Sequence, residues 1–185
     1  MRILAIFFLF AITSCKYYNG KLPIAVPAED TTEIVRVKAE LPSVKETGNY
    51  INTGSTKPEQ LLAFAKSLMG TPYRYGSSNP VSGFDCSGFI TYVFNHFNIS
   101  VPRSSIDFTH YNTQIQLSQA KAGDLILFTG TDSTIREVGH MGIITSVSND
   151  QVEFIHSTSG KANGVTITPL NTYYAGRFVK VIRVF

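Results

Sequence analysis

Two segments in the first half of the chain carry apolar side chains at a helical period. The first segment follows Thr56 and Glu59, which have the spacing of a capping box, and it ends at Gly70, a residue typical of a helix C-terminus. The second runs from Cys86 to Phe97. The predicted buried stripes of the two helices are Leu61, Leu62, Ala65, Leu68 and Met69, and Phe89, Ile90, Val93, Phe94 and Phe97.

In the second half of the chain the helical period gives way to short runs rich in Ile, Val and Phe. These runs predict strands at 124–128, 141–147, 152–156, 164–168 and 178–184. Because the helices come first and the strands afterwards, the order predicts an α+β domain. We expect the N-terminal helices to pack on a largely antiparallel sheet of five to six strands.

The N-terminus has a ten-residue apolar stretch from Ile3 to Ile12, which is too short to span a bilayer and fits the core of a secretory signal peptide. The following residues, Ile12 to Cys15, resemble the bacterial lipobox, in which the cysteine becomes the lipid-bearing N-terminus. We therefore predict a lipoprotein signal peptide at 1–15, with Cys15 lipidated and anchoring the protein to a membrane. The alternative is an ordinary cleaved signal peptide in which Cys15 is incidental.

Residues 16–55 contain scattered prolines and charges without a sustained period, which predicts a flexible tether before a domain at 56–185. The composition, 43% hydrophobic and 16% charged, is that of a globular protein. The net charge of +3 is small, and no basic run is interleaved with aromatic residues. We therefore expect no nucleic-acid partner.

Cys86 is the candidate for chemistry. If Cys15 carries lipid, Cys86 is left as a free thiol in an exported protein. Asp85 is a good N-cap, so Cys86 should lie in the first helical turn, where unpaired N–H groups and the helix dipole favour a thiolate. Gly88 would keep the helix surface low beside the sulfur and leave room for a substrate. The alternative is that Cys86 is a small packed hydrophobic residue.

A cysteine nucleophile needs a base, and the chain has four histidines. His96 lies too far along the Cys86 helix, and His110 lies in a polar segment. His140 and His156 fall on consecutive predicted strands. With a two-residue turn at 149–150, facing residues have numbers that add to 299, which places the two rings on opposite faces of the sheet. A shared site therefore predicts a β-bulge or a turn of odd length.

Zinc is the competing use of Cys and His side chains. Neither His140 nor His156 belongs to a C-x-x-C or H-x-x-x-H pattern. We therefore expect neither a metal nor another cofactor.

Six segments in this order resemble the motifs of the NlpC-type bacterial cell-wall cysteine endopeptidases, and the likeness covers Thr56 to Phe185. The resemblance implies a papain-like fold. It also implies hydrolysis of peptidoglycan stem peptides, commonly at the bond from γ-D-glutamate to meso-diaminopimelate or lysine. The segments are GTPYRYG (70–76), DCSGF (85–89), VPRSS (101–105), AGDLILF (122–128), GHMGII (139–144) and FIHSTSG (154–160).

Carried over by position, the resemblance implies that Cys86 is the nucleophile and His140 the base. His156 would orient His140, and the Tyr73 hydroxyl would help to form the oxyanion site. Tyr75 is a neighbouring candidate for that last role, and either tyrosine could serve only as an aromatic wall.

The motif VPRSS places Arg103 and Ser104 in the family's pattern, but we expect them only to shape a loop. The chain departs from the family at Gly76-Ser77, where a second glycine is common, and 78–84 is about one residue longer than usual. Both departures bear on specificity more than on catalysis.

The sequence thus predicts a monomeric peptidoglycan hydrolase, a cysteine peptidase outside the cytoplasm in the cell envelope, held at a membrane by its N-terminal lipid. Two alternatives remain. One is an amidase or acyltransferase that uses the same Cys and His, and the other is a non-catalytic lipoprotein that binds wall fragments.

Overall fold

The computed structural model describes residues 49–149 and 151–185. Its secondary structure begins with helices and ends in a sheet, as the order of the sequence patterns predicts. Two 3₁₀ turns, Asp107–His110 and Leu117–Gln119, join the two parts. The helices are α1 (Pro58–Ser67), α2 (Cys86–His96) and α3 (Thr172–Arg177). The strands are β1 (Ser78–Asn79), β2 (Gly83–Phe84), β3 (Thr113–Ile115), β4 (Leu125–Thr129), β5 (Val138–Ser148), β6 (Gln151–Thr158), β7 (Gly164–Pro169) and β8 (Phe178–Arg183).

The main sheet has six strands in the order β3-β8-β4-β5-β6-β7, and each neighbouring pair is antiparallel. Strands β1 and β2 form a separate antiparallel pair just before α2. The predicted α+β class and the six-stranded antiparallel sheet are therefore confirmed.

Side chains alternate across the sheet and build a core on each face. On one face α1 and α2 pack against residues that include Leu125, Leu127 and Met141. On the other face Phe128 and Phe154 form a smaller cluster with Tyr174 of α3. The short helix α3, which the sequence patterns do not predict, thus covers the face opposite α1 and α2.

The start of α1 differs from the prediction by one residue. Lys57, and not Thr56, is the N-cap, with extended φ and ψ of −95° and 148°. Its backbone N–H donates to Oε1 of Gln60 at 3.0 Å. The predicted Thr56–Glu59 capping box is wrong because a residue before proline avoids the helical region, which fixes Pro58 as the first helical position.

The packed domain also begins earlier than the predicted boundary at Thr56. Ile51 is 4% exposed and belongs to the core, and its N–H donates to Oδ1 of Asn112 at 2.8 Å. Asn49 forms a bridge with Tyr111. Residues 49–55 are therefore part of the domain and not of the tether. The predicted signal peptide, Cys15 and the rest of the tether lie outside the described residues. Within 49–149 and 151–185, no helix is both long and apolar enough to cross a membrane.

The hairpin of β5 and β6 contains the irregularity that the two histidines require. Near the turn, Ser148 faces Gln151 and Val147 faces Val152, as in a regular two-residue hairpin. The register then shifts between Ile144 and Ser146, so that Ile144 faces Phe154. One residue, Thr145, is taken up by this bulge. The bulge brings His140 and His156 to the same face, and the prediction of an irregular hairpin is confirmed.

Gly88 has a different function from the one expected. A Cβ at this position would lie 2.1 Å from the carbonyl O of Ser77 and 2.8 Å from Oδ1 of Asp85. The same Ser77 carbonyl accepts the N–H of Asp85 at 2.9 Å. Gly88 is therefore required for close packing of α2 on the loop that precedes it. The space it leaves is filled by backbone and not by substrate.

We expect Gly88→Ala to lower the free energy of unfolding by about 3 kcal/mol, because the new methyl group must displace a backbone carbonyl. Urea denaturation checks this, with Gly176→Ala as the matched control. Gly176 is also helical, but a Cβ there meets no atom within 4 Å. Equal stability of the two variants would show that the backbone at Ser77 can move to admit the methyl group at little cost in free energy.

Candidate active site

A cavity of about 910 Å³ opens between the N-terminus of α2, strands β5 to β7 and α3. Cys86, His140 and Tyr73, which the sequence predicts as site residues, all line it. His156 is 0% exposed and lies behind His140. Tyr75 is 88% exposed and is not among the lining residues. The structure therefore brings together the four predicted residues and places Tyr75 on the surface.

Cys86 occupies the first position of α2, as predicted. The Asp85 side chain caps the helix by accepting the N–H of Gly88 at 2.6 Å. The Cys86 thiol lies 3.9 Å from the carbonyl O of Gly139, the residue that precedes His140. The helix start thus holds the sulfur against the strand that carries the predicted base.

The expected thiolate at Cys86 is wrong for the free protein. Burial raises the pKa of the Cys86 thiol, and the Asp85 carboxylate raises it further. The backbone N–H groups of Ser87, Cys86 and Met141 lower this pKa, as the helix terminus predicts, but their effect is smaller. Cys86 is therefore a thiol at neutral pH, and a base must remove its proton during attack.

Arg103 does more than shape a loop. Its guanidinium forms a bidentate ion pair with Asp85, with distances of 3.0 Å to Oδ1 and 2.7 Å to Oδ2. It also donates to the Ser87 hydroxyl at 3.0 Å. This ion pair fixes the N-cap of α2 and hence the backbone on which Cys86 lies.

Three side chains form a hydrogen-bonded chain behind the sulfur. His140 Nε2 lies 2.8 Å from His156 Nδ1, and His156 Nε2 lies 2.9 Å from the Thr168 hydroxyl. When His140 donates from Nε2 and His156 donates to Thr168, Nδ1 of His140 carries no proton. In this tautomer His140 can accept a proton through Nδ1, and His156 can stabilise the imidazolium that results.

Both histidines are neutral at rest. Burial lowers the pKa of His140 well below its ordinary value, and the neighbouring His156 and Arg177 lower it further. Burial, with a smaller effect of Arg177, lowers the pKa of His156 to about 3. The resting site is consequently an uncharged thiol–imidazole pair and not a thiolate–imidazolium pair.

The buried histidines predict a pH dependence of stability. Below about pH 6.5, the ordinary histidine pKa, these histidines are protonated in the unfolded chain but stay neutral in the folded protein. The free energy of unfolding therefore falls with falling pH. Each histidine contributes about 1.4 kcal/mol per pH unit in this range. Between pH 6 and pH 4 the free energy of unfolding of His156→Gln should depend less steeply on pH, because one of the two histidine contributions is lost. His110→Gln, which changes an exposed histidine, should keep the pH dependence of the native protein. Denaturant titrations at several pH values measure the free energy of unfolding. An identical change of this free energy with pH in the two variants would contradict the prediction.

Tyr73 lies beside Cys86 in the cavity wall. Burial raises the pKa of the Tyr73 hydroxyl, and the nearby Cys86 and Asp85 raise it further. The hydroxyl is therefore protonated at neutral pH and can donate a hydrogen bond to an oxygen above the sulfur.

Sequence reasoning missed three residues of the site: Thr168, Tyr174 and Arg177. Tyr174 stacks on His140 with ring centroids 6.0 Å apart and contacts the edge of His156 at 5.4 Å. Arg177 is 6% exposed and lies over the rings of Tyr173 and Tyr174. The aromatic pair in NTYYAGR was the one signal in the sequence that could have indicated this wall.

The described part of the chain contains no group of three or more His, Cys, Asp or Glu side chains placed to hold a metal ion.

The fold is that of a known class, and the chain belongs to it: residues 70–183 match the NlpC/P60 family. The resemblance seen in the sequence is thus confirmed. The chain is 31% identical over 134 residues to the γ-DL-glutamyl hydrolase of Bacillus subtilis. It is 38% identical over 120 residues to the probable peptidoglycan endopeptidase LytE of the same organism. An NlpC/P60 family protein from Bacillus cereus has the same fold, with a TM-score of 0.62 and 26% identity over 72% of this chain and 42% of its own.

The matches cover the domain and not the whole of these relatives. The alignments span 72% and 65% of this chain but 32% of each of the two curated relatives. The chain thus spans about a third of the length of these relatives.

Proposed function

We propose that this protein is a cysteine endopeptidase that cleaves the bond from γ-D-glutamate to diaminopimelate or lysine in peptidoglycan stem peptides. The observation that carries the proposal is one cavity that presents the Cys86 thiol, the His140 ring and the Tyr73 hydroxyl together, with His140 hydrogen-bonded to His156. Membership of the NlpC/P60 family, and the similarity of the chain to a γ-DL-glutamyl hydrolase and a probable peptidoglycan endopeptidase, support the substrate class.

The geometry supports a two-step hydrolysis. Sγ of Cys86 attacks the γ-carbonyl carbon while its proton passes to His140, and the oxyanion is held by the Cys86 N–H and the Tyr73 hydroxyl. The C–N bond then breaks as His140 protonates the leaving amine, and a thioester remains on Cys86. His140 next accepts a proton from water, the hydroxide adds to the thioester, and the thiol leaves with that proton.

We also propose that the chain is exported and held at a membrane through a lipid on Cys15, and that it acts as a monomer. The lipobox-like residues Ile12 to Cys15 support the anchor. The anchor would confine the domain near a membrane surface, and the residues up to about 48 would act as the tether from which it reaches the wall.

The test is incubation of the purified full chain, native and Cys86→Ala, with L-Ala-γ-D-Glu-diaminopimelate, its lysine counterpart and intact sacculi, followed by mass spectrometry. Release of the third residue by the native protein alone supports the proposal. A product that gains an acyl or amine group indicates a transferase. The absence of any product from a folded native protein indicates the wall-binding alternative.

A further inference from the structure

Arg177 is a buried cation without an anionic partner. Its guanidinium donates to the Tyr173 hydroxyl and to the carbonyl O of Thr129, each at 2.8 Å. Its Nε has no hydrogen-bond partner, and no carboxylate pairs with it within residues 49–149 and 151–185. Burial of a charge without an opposite charge is costly, and here it is offset only in part by the two tyrosine rings.

The cavity around Arg177 is cationic. Apart from His140, the basic side chains that line it are Arg177 and Lys161, and no aspartate or glutamate is included. A cavity with two cations and no acid attracts a carboxylate and repels an ammonium group. Arg177 lines the cavity, and a guanidinium presents N–H groups in the planar arrangement that binds a carboxylate strongly.

The position of Arg177 identifies which part of the substrate it faces. Its Cζ lies 5.6 Å from the ring centre of Tyr174, and that ring stacks on His140 at 6.0 Å. His140 gives its proton to the leaving amine, so the residue that leaves must lie beside His140. Arg177 is therefore on the leaving side of the scissile bond, whereas Tyr73 lies beside Cys86.

We propose that Arg177 binds the side-chain carboxylate of the leaving residue, and that the enzyme thereby selects diaminopimelate over lysine as the third residue of the stem peptide. This inference rests on the proposed function and adds to it a preference for one third residue of the stem peptide. The side chain of diaminopimelate ends, after three methylene groups, in a carbon that bears a carboxylate as well as an ammonium group. Lysine places only an ammonium group in this cationic region.

The test compares L-Ala-γ-D-Glu-meso-diaminopimelate with L-Ala-γ-D-Glu-L-lysine on the full chain. We expect kcat/KM to favour the diaminopimelate peptide by about tenfold or more. Arg177→Gln should abolish this preference while the lysine peptide is still cut, and Arg177→Lys should retain part of it. Arg136→Gln is the matched control, because Arg136 donates to the carbonyls of Gly176 and Phe178 but does not line the cavity.

Equal rates on both peptides in the native protein, or an equal loss on both in Arg177→Gln, would overturn the inference. The second result would mean that Arg177 binds the α-carboxylate common to both peptides or only supports the wall. Calorimetry with Cys86→Ala separates this question from catalysis. Tighter binding of the diaminopimelate peptide, lost on adding Arg177→Gln, supports the site even if no bond is cut. Equal affinities overturn it. Thermal melts of each variant identify loss of folding, in which case Arg177→Lys provides the deciding comparison.

Discussion

Cys86→Ala is expected to lower kcat/KM for stem-peptide hydrolysis by about 10⁴-fold or more. The proposed chemistry passes through a thioester on Sγ, and no other thiol lines the cavity within the described residues. Because Cys86 is partly exposed at the start of α2, its truncation should leave the fold intact. Peptide cleavage followed by mass spectrometry measures the loss, and circular dichroism verifies folding.

Ser159→Ala is the matched control, because Ser159 also lines the cavity but contributes nothing to the proposed steps. It should retain activity within a few-fold. A Cys86→Ala protein that cleaves at a rate near that of the native protein would exclude the thioester route and indicate direct attack by water.

His140→Gln is expected to lower kcat/KM at pH 7 by about 10³-fold, within the range for loss of a general base. The pH profile should also change. The native rate should stay level from about pH 6.5 to 9 and fall only at lower pH, because burial lowers the pKa of His140. Without His140, attack needs a preformed thiolate, and burial raises the pKa of that thiol. The rate of the variant should therefore rise about tenfold per pH unit across the same range.

Initial rates between pH 5 and pH 10 measure both profiles, with His110→Gln as a control that keeps the native profile. A His140→Gln profile parallel to the native one would contradict the assignment of His140 as the base. A native profile that falls above pH 7 would instead indicate a thiolate–imidazolium pair.

Local sequence patterns predicted much of the fold because they depend on near neighbours. Asp85 caps α2 where the sequence places an N-cap, and the strand runs matched β4 to β8 within a few residues. An irregular hairpin followed from residue spacing alone, since the two histidines can share a face in no regular two-residue hairpin, whereas the place of the bulge at Thr145 did not follow from the sequence.

The missed features depend on long-range contacts. Arg177 reaches the Thr129 carbonyl across 48 positions, and Thr168 reaches His156 through the β6–β7 pairing, whose register no motif encodes. Helix α3 has six residues, too few for a recognisable apolar stripe. The thiolate prediction failed for a related reason. The N–H groups at Cys86 are local, but the burial that outweighs them is produced by the whole fold.

The bulge at Thr145 also restricts how the strands of this hairpin can vary in length. His140 and His156 are 16 positions apart, an even separation, whereas residues that lie on opposite strands of a regular two-residue hairpin and share a face are separated by an odd number. If the two-residue turn is retained, a single insertion or deletion in either strand between the two histidines therefore turns one ring to the opposite face, unless it removes the bulge residue or a second change compensates. A residue added to the turn leaves the strand pairing and both rings in place. The strands of this hairpin can therefore change length with the shared site intact only in steps of two, whereas the turn is not restricted in this way.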